Sequence, residues 1–287
     1  MSTAPGPGPL SVAVLGDSTA FIDDTGPQLP TAAHLYPNVL ARQLEDALGR
    51  PVAVTVCARP GQTVRDAARA VLKDQHLQFD VLAKADAVVV GLGSFDHAPA
   101  GVPAALEATL PYLWPAPVRR RARAWSRAAY PQLVRLTGAR LRRTPATEFV
   151  RLFSQLLEQV RGLTWGRAAG VVLGPTSHRS AYYGHRHPRF ADAEAQQLAL
   201  ARAHGFAGVA VWEHVVAHLD GLNVDGIHWP PAAHAAVGRA AAEALLPQLL
   251  GAAPRIGLPH AAEAAGITLD GTGRTDDAGP VAARPAD

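Results

Sequence analysis

Short apolar runs alternate with longer stretches of helical spacing through most of this chain. Residues 11–18 (SVAVLGDS) are continuous apolar positions closed by a Gly-Asp-Ser turn, the pattern of a strand buried on both faces. Residues 39–49 (VLARQLEDALG) then carry apolar residues at helical spacing up to the stop at Gly49. Residues 51–58 (PVAVTVCA) predict a second strand, followed by a loop at 58–63 and a helix over 63–72. Residues 85–94 (ADAVVVGLGS) predict a third strand, 170–175 a fourth and 208–215 a fifth, before an Ala- and Leu-rich helix over 231–250. Strands alternating with helices imply an α/β fold: a central parallel five-stranded sheet between helical layers, joined by right-handed crossovers.

Two regions break this rhythm. Residues 102–168, between the third and fourth strands, are far longer than a usual crossover. They contain TLPYLWPAPVRRRARAW and the helix-like FVRLFSQLLEQVRGL, and they predict a helical cap over the carboxyl ends of the strands. From residue 251 to 287 the chain is rich in Ala, Gly, Pro and Asp without periodicity, which predicts a disordered extension. The expected organisation is one domain over 10–250 followed by that tail.

Composition narrows the class. Hydrophobic residues make up 48% and charged residues 18%, an ordinary globular balance. No apolar run is long enough to span a bilayer, and the first residues lack the basic start and long apolar core of a secretory signal, so a cytoplasmic protein is expected. The one cysteine, Cys57, excludes an internal disulfide framework and a multi-thiolate metal site; its apolar neighbours predict a small buried hydrophobe. Net charge is +3, yet nine arginines and no acid lie between Arg119 and Arg143, which points to a local anionic partner. No aromatic platform or groove-reading motif accompanies them, so nucleic acid is not expected.

Gly16-Asp17-Ser18 ends the first strand, where open α/β sheets place their ligands. A serine there becomes a nucleophile once a histidine takes its proton; read alone, the tripeptide fits equally a turn whose serine caps the next helix. Asp225-Gly226-Ile227-His228 lies just before the last helix. An Asp three residues ahead of a His can hold Nδ1–H and leave Nε2 for the serine; the alternative is a solvated loop pair. An oxyanion needs donors, and the N–H groups of Ser18 and of Gly61, in the loop after strand two, are candidates, although Gly61 also suits a plain turn.

In order and spacing, these blocks, with the Gly93-Ser94-Phe95-Asp96 turn after strand three, resemble the SGNH/GDSL hydrolases over approximately residues 11–248. The resemblance implies the flavodoxin-like SGNH fold, Ser18 as nucleophile, His228 as base, Asp225 orienting it, and Gly61 as a backbone oxyanion donor. One position departs: that family usually has Asn, an oxyanion donor, where this chain has Phe95. Ser94, His97, a cap residue or the two backbone groups alone are left to fill that role. Within the superfamily the chain is similar to the actinobacterial diglucosylglycerate octanoyltransferases, in HLYPNVLARQLE, TVRDAARA, GSFDHAPAGVPAAL, LWPAPVRRRAR, YYGHRHPR and DGIHWPPAAHAAV. That resemblance implies a medium-chain acyl group moved from acyl-CoA, a co-substrate rather than a bound cofactor, to a glucosyl hydroxyl of a glycerate-linked glycoside. The alternatives are a GDSL-type esterase and, because of Phe95, a catalytically silent carbohydrate- or lipid-binding module.

Substrate-binding candidates follow. Leu110, Tyr112, Leu113 and Trp114 fit an acyl channel or plain cap packing. Arg119 and Arg120 fit the phosphates of coenzyme A or a solvated helix face. Phe95, Asp96, His97 and Trp229 flank the motif blocks. In the polar loop after strand four, Arg186 and Arg189 suit a carboxylate, and His185 joins them as a binding candidate. The His185-x-His187 spacing lacks the further ligands that zinc requires, so no metal is expected.

Overall fold

The computed structural model describes residues 8–257 apart from 104, 105, 107, 108, 110 and 111, so Leu110 and residues 258–287 of the expected tail lie outside it. Five strands, β1 (Leu10–Gly16), β2 (Val52–Ala58), β3 (Ala87–Gly91), β4 (Ala169–Leu173) and β5 (Ala207–Val209), form one sheet in the order β2-β1-β3-β4-β5. Every pairing is parallel, with Val14 of β1 in register with Val56 on one side and Val89 on the other. This is the flavodoxin-like order, whose chain reversal opens a crevice at the carboxyl ends of β1 and β3.

Alternation along each strand sends side chains to two separate cores. Val12, Val14, Val89 and Val171 pack under α1 (Tyr36–Leu48) and α6 (Pro231–Leu249). Ala13, Leu15, Val88, Val90 and Val172 pack under α2 (Val64–Lys73) and α4 (Ala146–Leu163), with Ala201 of α5 (Phe190–Ala203) at the margin. Edge strand β2 leaves Cys57 half-buried rather than enclosed, a correction to the expected buried hydrophobe, and burial pushes its thiol pKa up. Among the described residues no helix is long and apolar enough to cross a membrane.

The expected cap divides in two. Its second half, α4, buries Phe149, Leu152, Phe153, Leu156, Leu157 and Val160 directly against the sheet. That helix is the ordinary β3-to-β4 crossover and not a lid, because an apolar stripe this wide has to be covered by the core. Among the described residues of this connection, α3 (Ala116–Leu136) is the helix left to stand as a cap. Tyr130 and Val134 of α3 close a small third cluster with Ala98, Ala139 and Tyr183, against which Ile227 packs.

Residues 251–257, which composition assigns to the extension, fold back onto the domain. Ile256 is fully buried, and its N–H donates to the Ala168 carbonyl at 3.2 Å. Gly170 makes room for it: a Cβ there would sit 2.4 Å from Ile256 Cγ2. One apolar residue in a polar stretch carries no periodicity, which is why the boundary falls late.

Candidate active site

The loops after β1, β2, β3 and β4 and the loop before α6 converge at the carboxyl rim of the sheet. Asp17 shapes the first. Its Oδ1 accepts the Thr19 N–H at 2.9 Å and the Thr19 hydroxyl at 2.8 Å, capping a short 3-10 turn that begins at Ser18. Burial pushes the Asp17 carboxyl above the usual range, against the pull of the Thr19 donors.

The loop before α6 is held at several points. Asn223 N–H donates to the His228 carbonyl at 3.0 Å, Gly226 N–H to the Asn223 carbonyl at 2.7 Å, and Arg179 N–H to the Gly226 carbonyl at 2.8 Å. Gly226 has φ +70°, and a Cβ on it would lie 2.6 Å from the Arg179 carbonyl carbon, so only glycine lets the loop approach this closely. Within the loop, Asp225 Oδ1 accepts the Ile227 N–H at 2.7 Å and the His228 N–H at 3.2 Å, while Oδ2 lies 2.5 Å from His228 Nδ1.

His228 Nε2 then sits 2.9 Å from Ser18 Oγ. Two residues 210 positions apart thus meet in hydrogen-bonding geometry, as their placement at opposite ends of the chain requires. With Nδ1–H donated to Asp225, Nε2 is the acceptor for the serine proton. Burial works to raise the Asp225 carboxyl, but the bonds from His228 and Ile227 outweigh it and hold the pKa below the ordinary value. Asp225 therefore stays anionic across the neutral range and serves as the acceptor that orients the imidazole through Nδ1.

A cavity of about 250 Å³ opens beside Ser18 Oγ, bounded by Ile22, Pro60, Gly61, Phe95, Ala98, Tyr183 and Ile227. Its polar groups are few and gather near the serine: Ser94, Thr176, Ser177 and His178. Gly61 has φ +63°, and a Cβ on it would touch the Phe95 ring at 3.3 Å. Among the described residues neither the Gly61 nor the Ser18 N–H is engaged by a backbone carbonyl. Ser94 Oγ accepts the Thr176 N–H at 3.0 Å and lies 3.3 Å from Thr176 Oγ1. The serine, its histidine and the carboxylate behind it are arranged as attack on an acyl carbonyl requires.

Of the substrate-binding candidates, Phe95 lines this cavity and most others do not. Asp96 is fully buried, accepting the Thr144 hydroxyl at 2.6 Å and the Val64 N–H at 2.9 Å, so it ties the β3 turn to α2 and the cap loop. Burial pushes its carboxyl up to about 7. His97 is 1% exposed against Phe149, and burial together with the nearby Arg142 charge pushes its pKa down to about 3. It is removed from the candidates for the missing oxyanion donor. Trp229 is buried among Tyr36 and His234. Each stands next to a catalytic block in sequence and points into the core, which adjacency along the chain does not reveal.

Trp114 is 84% exposed, and neither it, Tyr112, Arg119 nor Arg120 borders the cavity. These residues form no channel at the serine; the cavity there is lined instead by Ala98 and Tyr183, which pack with Tyr130 of α3. His185 Nδ1 is bonded to the Arg179 carbonyl at 2.8 Å and closes its own loop, while Arg186 and Arg189 border separate surface cavities. His187 Nε2 is bonded to the His97 carbonyl at 3.0 Å, and among the described residues no three His, Cys, Asp or Glu side chains group as metal ligands. The lining residues Thr176, His178 and Tyr183 were not legible as a set. His178 stood in a visibly polar loop, whereas Tyr183 owes its place to packing near Tyr130.

Comparison with known proteins gives the family and the fold. The family model of the GDSL-like lipase/acylhydrolase family matches residues 14–236. The chain is 30% identical over 243 residues to the diglucosylglycerate octanoyltransferase of Mycobacterium tuberculosis, covering 81% of this chain and 90% of that protein. It is also 30% identical over 241 residues to the protein of the same name from Mycolicibacterium hassiacum, covering 81% and 93%. In fold it is similar to a lipase/acylhydrolase from Enterococcus faecalis, with a TM-score of 0.52, 17% identity, and coverage of 82% of this chain and 94% of that one.

Proposed function

The chain belongs to the GDSL-like lipase/acylhydrolase family, and within it we propose a serine O-acyltransferase that moves a medium-chain acyl group from acyl-CoA to a glucosyl hydroxyl of a glycerate-linked glycoside. The observation that carries this reading is the identity to two octanoyltransferases over four fifths of the chain, beside a family match over residues 14–236 that spans the Ser18 and His228 loops. The apolar cavity beside Ser18 supports it, since about 250 Å³ is room for an acyl chain rather than for a whole donor or glycoside, which fill pockets of about 300–1,000 Å³.

In this mechanism Ser18 Oγ attacks the thioester carbonyl and passes its proton to His228 Nε2. The Ser18 and Gly61 N–H groups hold the oxyanion. Collapse breaks the C–S bond, and the departing thiolate of coenzyme A takes the proton from His228. A sugar hydroxyl then gives its proton to His228 and attacks the acyl-serine carbonyl; the second collapse forms the sugar ester and returns the proton to Ser18.

Phe95 has nothing to donate where the related enzymes usually have Asn, and the Ser94 hydroxyl, which lines the same cavity, is our candidate to compensate. Its oxygen accepts the Thr176 N–H, and with the Thr176 hydroxyl as donor across their 3.3 Å contact its own hydrogen can turn toward the oxyanion. Ser94→Ala is expected to lower kcat by about 10–100-fold, with KM and melting temperature little changed. Loss confined to KM would remove the hydroxyl from the transition state.

The esterase alternative shares every step but the last, with water as acceptor. Purified protein given octanoyl-CoA with and without a glucosylglycerate acceptor separates the two. The transferase reading expects an octanoylated glycoside and acceptor-dependent release of coenzyme A. Release indifferent to every sugar acceptor, with simple esters hydrolysed quickly, would replace it by the esterase. The silent-module reading has little left to support it, since the 2.9 Å contact of His228 with Ser18 is what an active site needs and a binding module does not.

A further inference from the structure

Two surface cavities, of about 810 Å³ and 660 Å³, share Arg140 and Arg189 as lining residues. Among the described residues they are bordered by seven arginines and two carboxylates, Glu148 and Asp192. Glu148 is already ion-paired with Arg65. Among the described residues none of Arg135, Arg140, Arg142, Arg186 and Arg189 has a carboxylate within ion-pair distance. The cluster is also crowded. Arg142 Nη2 donates to the Arg189 carbonyl at 3.3 Å, its buried Nε has no hydrogen-bond partner among the described residues, and burial with the Arg189 charge pushes its pKa down. Asp192 offsets part of this repulsion at Arg142; what remains costs stability, which a bound polyanion would recover.

One end of this groove reaches the serine site. Arg143, a lining residue of the larger cavity, places its guanidinium carbon 4.2 Å over the centre of the Phe95 ring, and Phe95 borders the cavity at Ser18. Thr63 lines the groove two residues after Gly61 lines the serine cavity. A ligand with its reacting carbonyl at Ser18 and a charged remainder some way behind it would therefore run past Phe95 into the arginines.

We propose that this groove binds the phosphate groups of the acyl-coenzyme A donor, the diphosphate and the ribose phosphate engaging the arginines while the pantetheine arm passes Phe95 toward Ser18. The inference rests on the acyl-CoA reading of the serine site. Guanidinium forks match phosphate oxygens, and a donor with several phosphate charges suits a groove of this length better than the single carboxylate of a glycerate acceptor. It moves the donor site from Arg119 and Arg120, which border neither cavity, to the later half of the same arginine-rich tract and the loop after β4.

The test compares octanoyl-CoA with octanoyl-N-acetylcysteamine, a thioester lacking every phosphate, in the Arg140→Ala/Arg189→Ala double variant. Both side chains are exposed, so the fold is expected to tolerate the change. The preference in kcat/KM for the coenzyme A thioester should fall about tenfold or more through KM, while Arg119→Ala/Arg120→Ala leaves that preference as it was. Calorimetry should show the same weakening for free coenzyme A, a readout independent of turnover. An unchanged donor preference with unchanged binding of coenzyme A, or an effect confined to KM for the glycoside acceptor, overturns the groove as donor site. If neither thioester is turned over by the unmodified protein, the acyl-transfer reading fails, and calorimetry with coenzyme A still decides the groove.

Discussion

Ser18→Ala is expected to lower acyl transfer by about 10⁴-fold or more at unchanged melting temperature, equivalent to about 5.4 kcal/mol of lost transition-state stabilisation. The side chain is half-buried at a rim, and its backbone turn is held by Asp17 and Thr19 rather than by its own hydroxyl, so the fold has little to lose. His228→Ala should fall to a similar level, and the double variant scarcely further, because hydroxyl and imidazole act as one unit. Asp225→Asn is the sharper test of the geometry. Oδ1 is occupied by two backbone donors, Ile227 N–H and His228 N–H, so an asparagine keeps its carbonyl there and turns its NH₂ toward His228 Nδ1. That reverses the tautomer and removes the anion that favours the imidazolium, with a loss of about 10⁴-fold expected. Steady-state assays on octanoyl donors check all three. A Ser18→Ala enzyme keeping more than a tenth of its activity would mean the nucleophile lies elsewhere.

Ser18, Asp225 and His228, which the structure brings together, were legible because their chemistry is tied to where strands end. A run such as SVAVLGDS declares both a buried parallel strand and its carboxyl edge, and a histidine loop before the last helix returns to the same edge in a doubly wound sheet. What surrounds them depends on burial, and sequence adjacency misleads there. Asp96, His97 and Trp229 touch the motif blocks in sequence, yet the turn after β3 and the start of α6 aim them inward against Thr144, Phe149 and Tyr36. The helix α4 carried a clear apolar stripe, but periodicity names a buried face without naming what covers it, and the sheet claimed a helix assigned to the cap. The arginine groove is dispersed over α2, the loop after α3 and the loop before α5, so only its densest segment stood out along the chain.

The Ser18 cavity carries the second large expected effect, a change of acyl preference on filling its floor. Ala98 is 4% exposed and packs in the cluster of Tyr130, Val134 and Tyr183, so a larger side chain there has one open direction, into the cavity of about 250 Å³. Each methylene of a bound acyl chain buried in such a site contributes about 0.8 kcal/mol. An Ala98→Leu side chain that displaces the terminal three or four carbons of an octanoyl group removes about 2.4–3.2 kcal/mol, or about two orders of magnitude in kcat/KM. An acetyl donor ends short of that floor and should keep most of its rate. Overpacking alone would slow both donors alike and lower the melting temperature, so the ratio between donors carries the test. Tyr183→Ala approaches the same wall from the other side, removing a ring and lengthening the cavity, and its preference should move toward chains longer than octanoyl. If Ala98→Leu and Tyr183→Ala leave the chain-length profile unchanged while both proteins stay folded, the acyl group does not lie under α3.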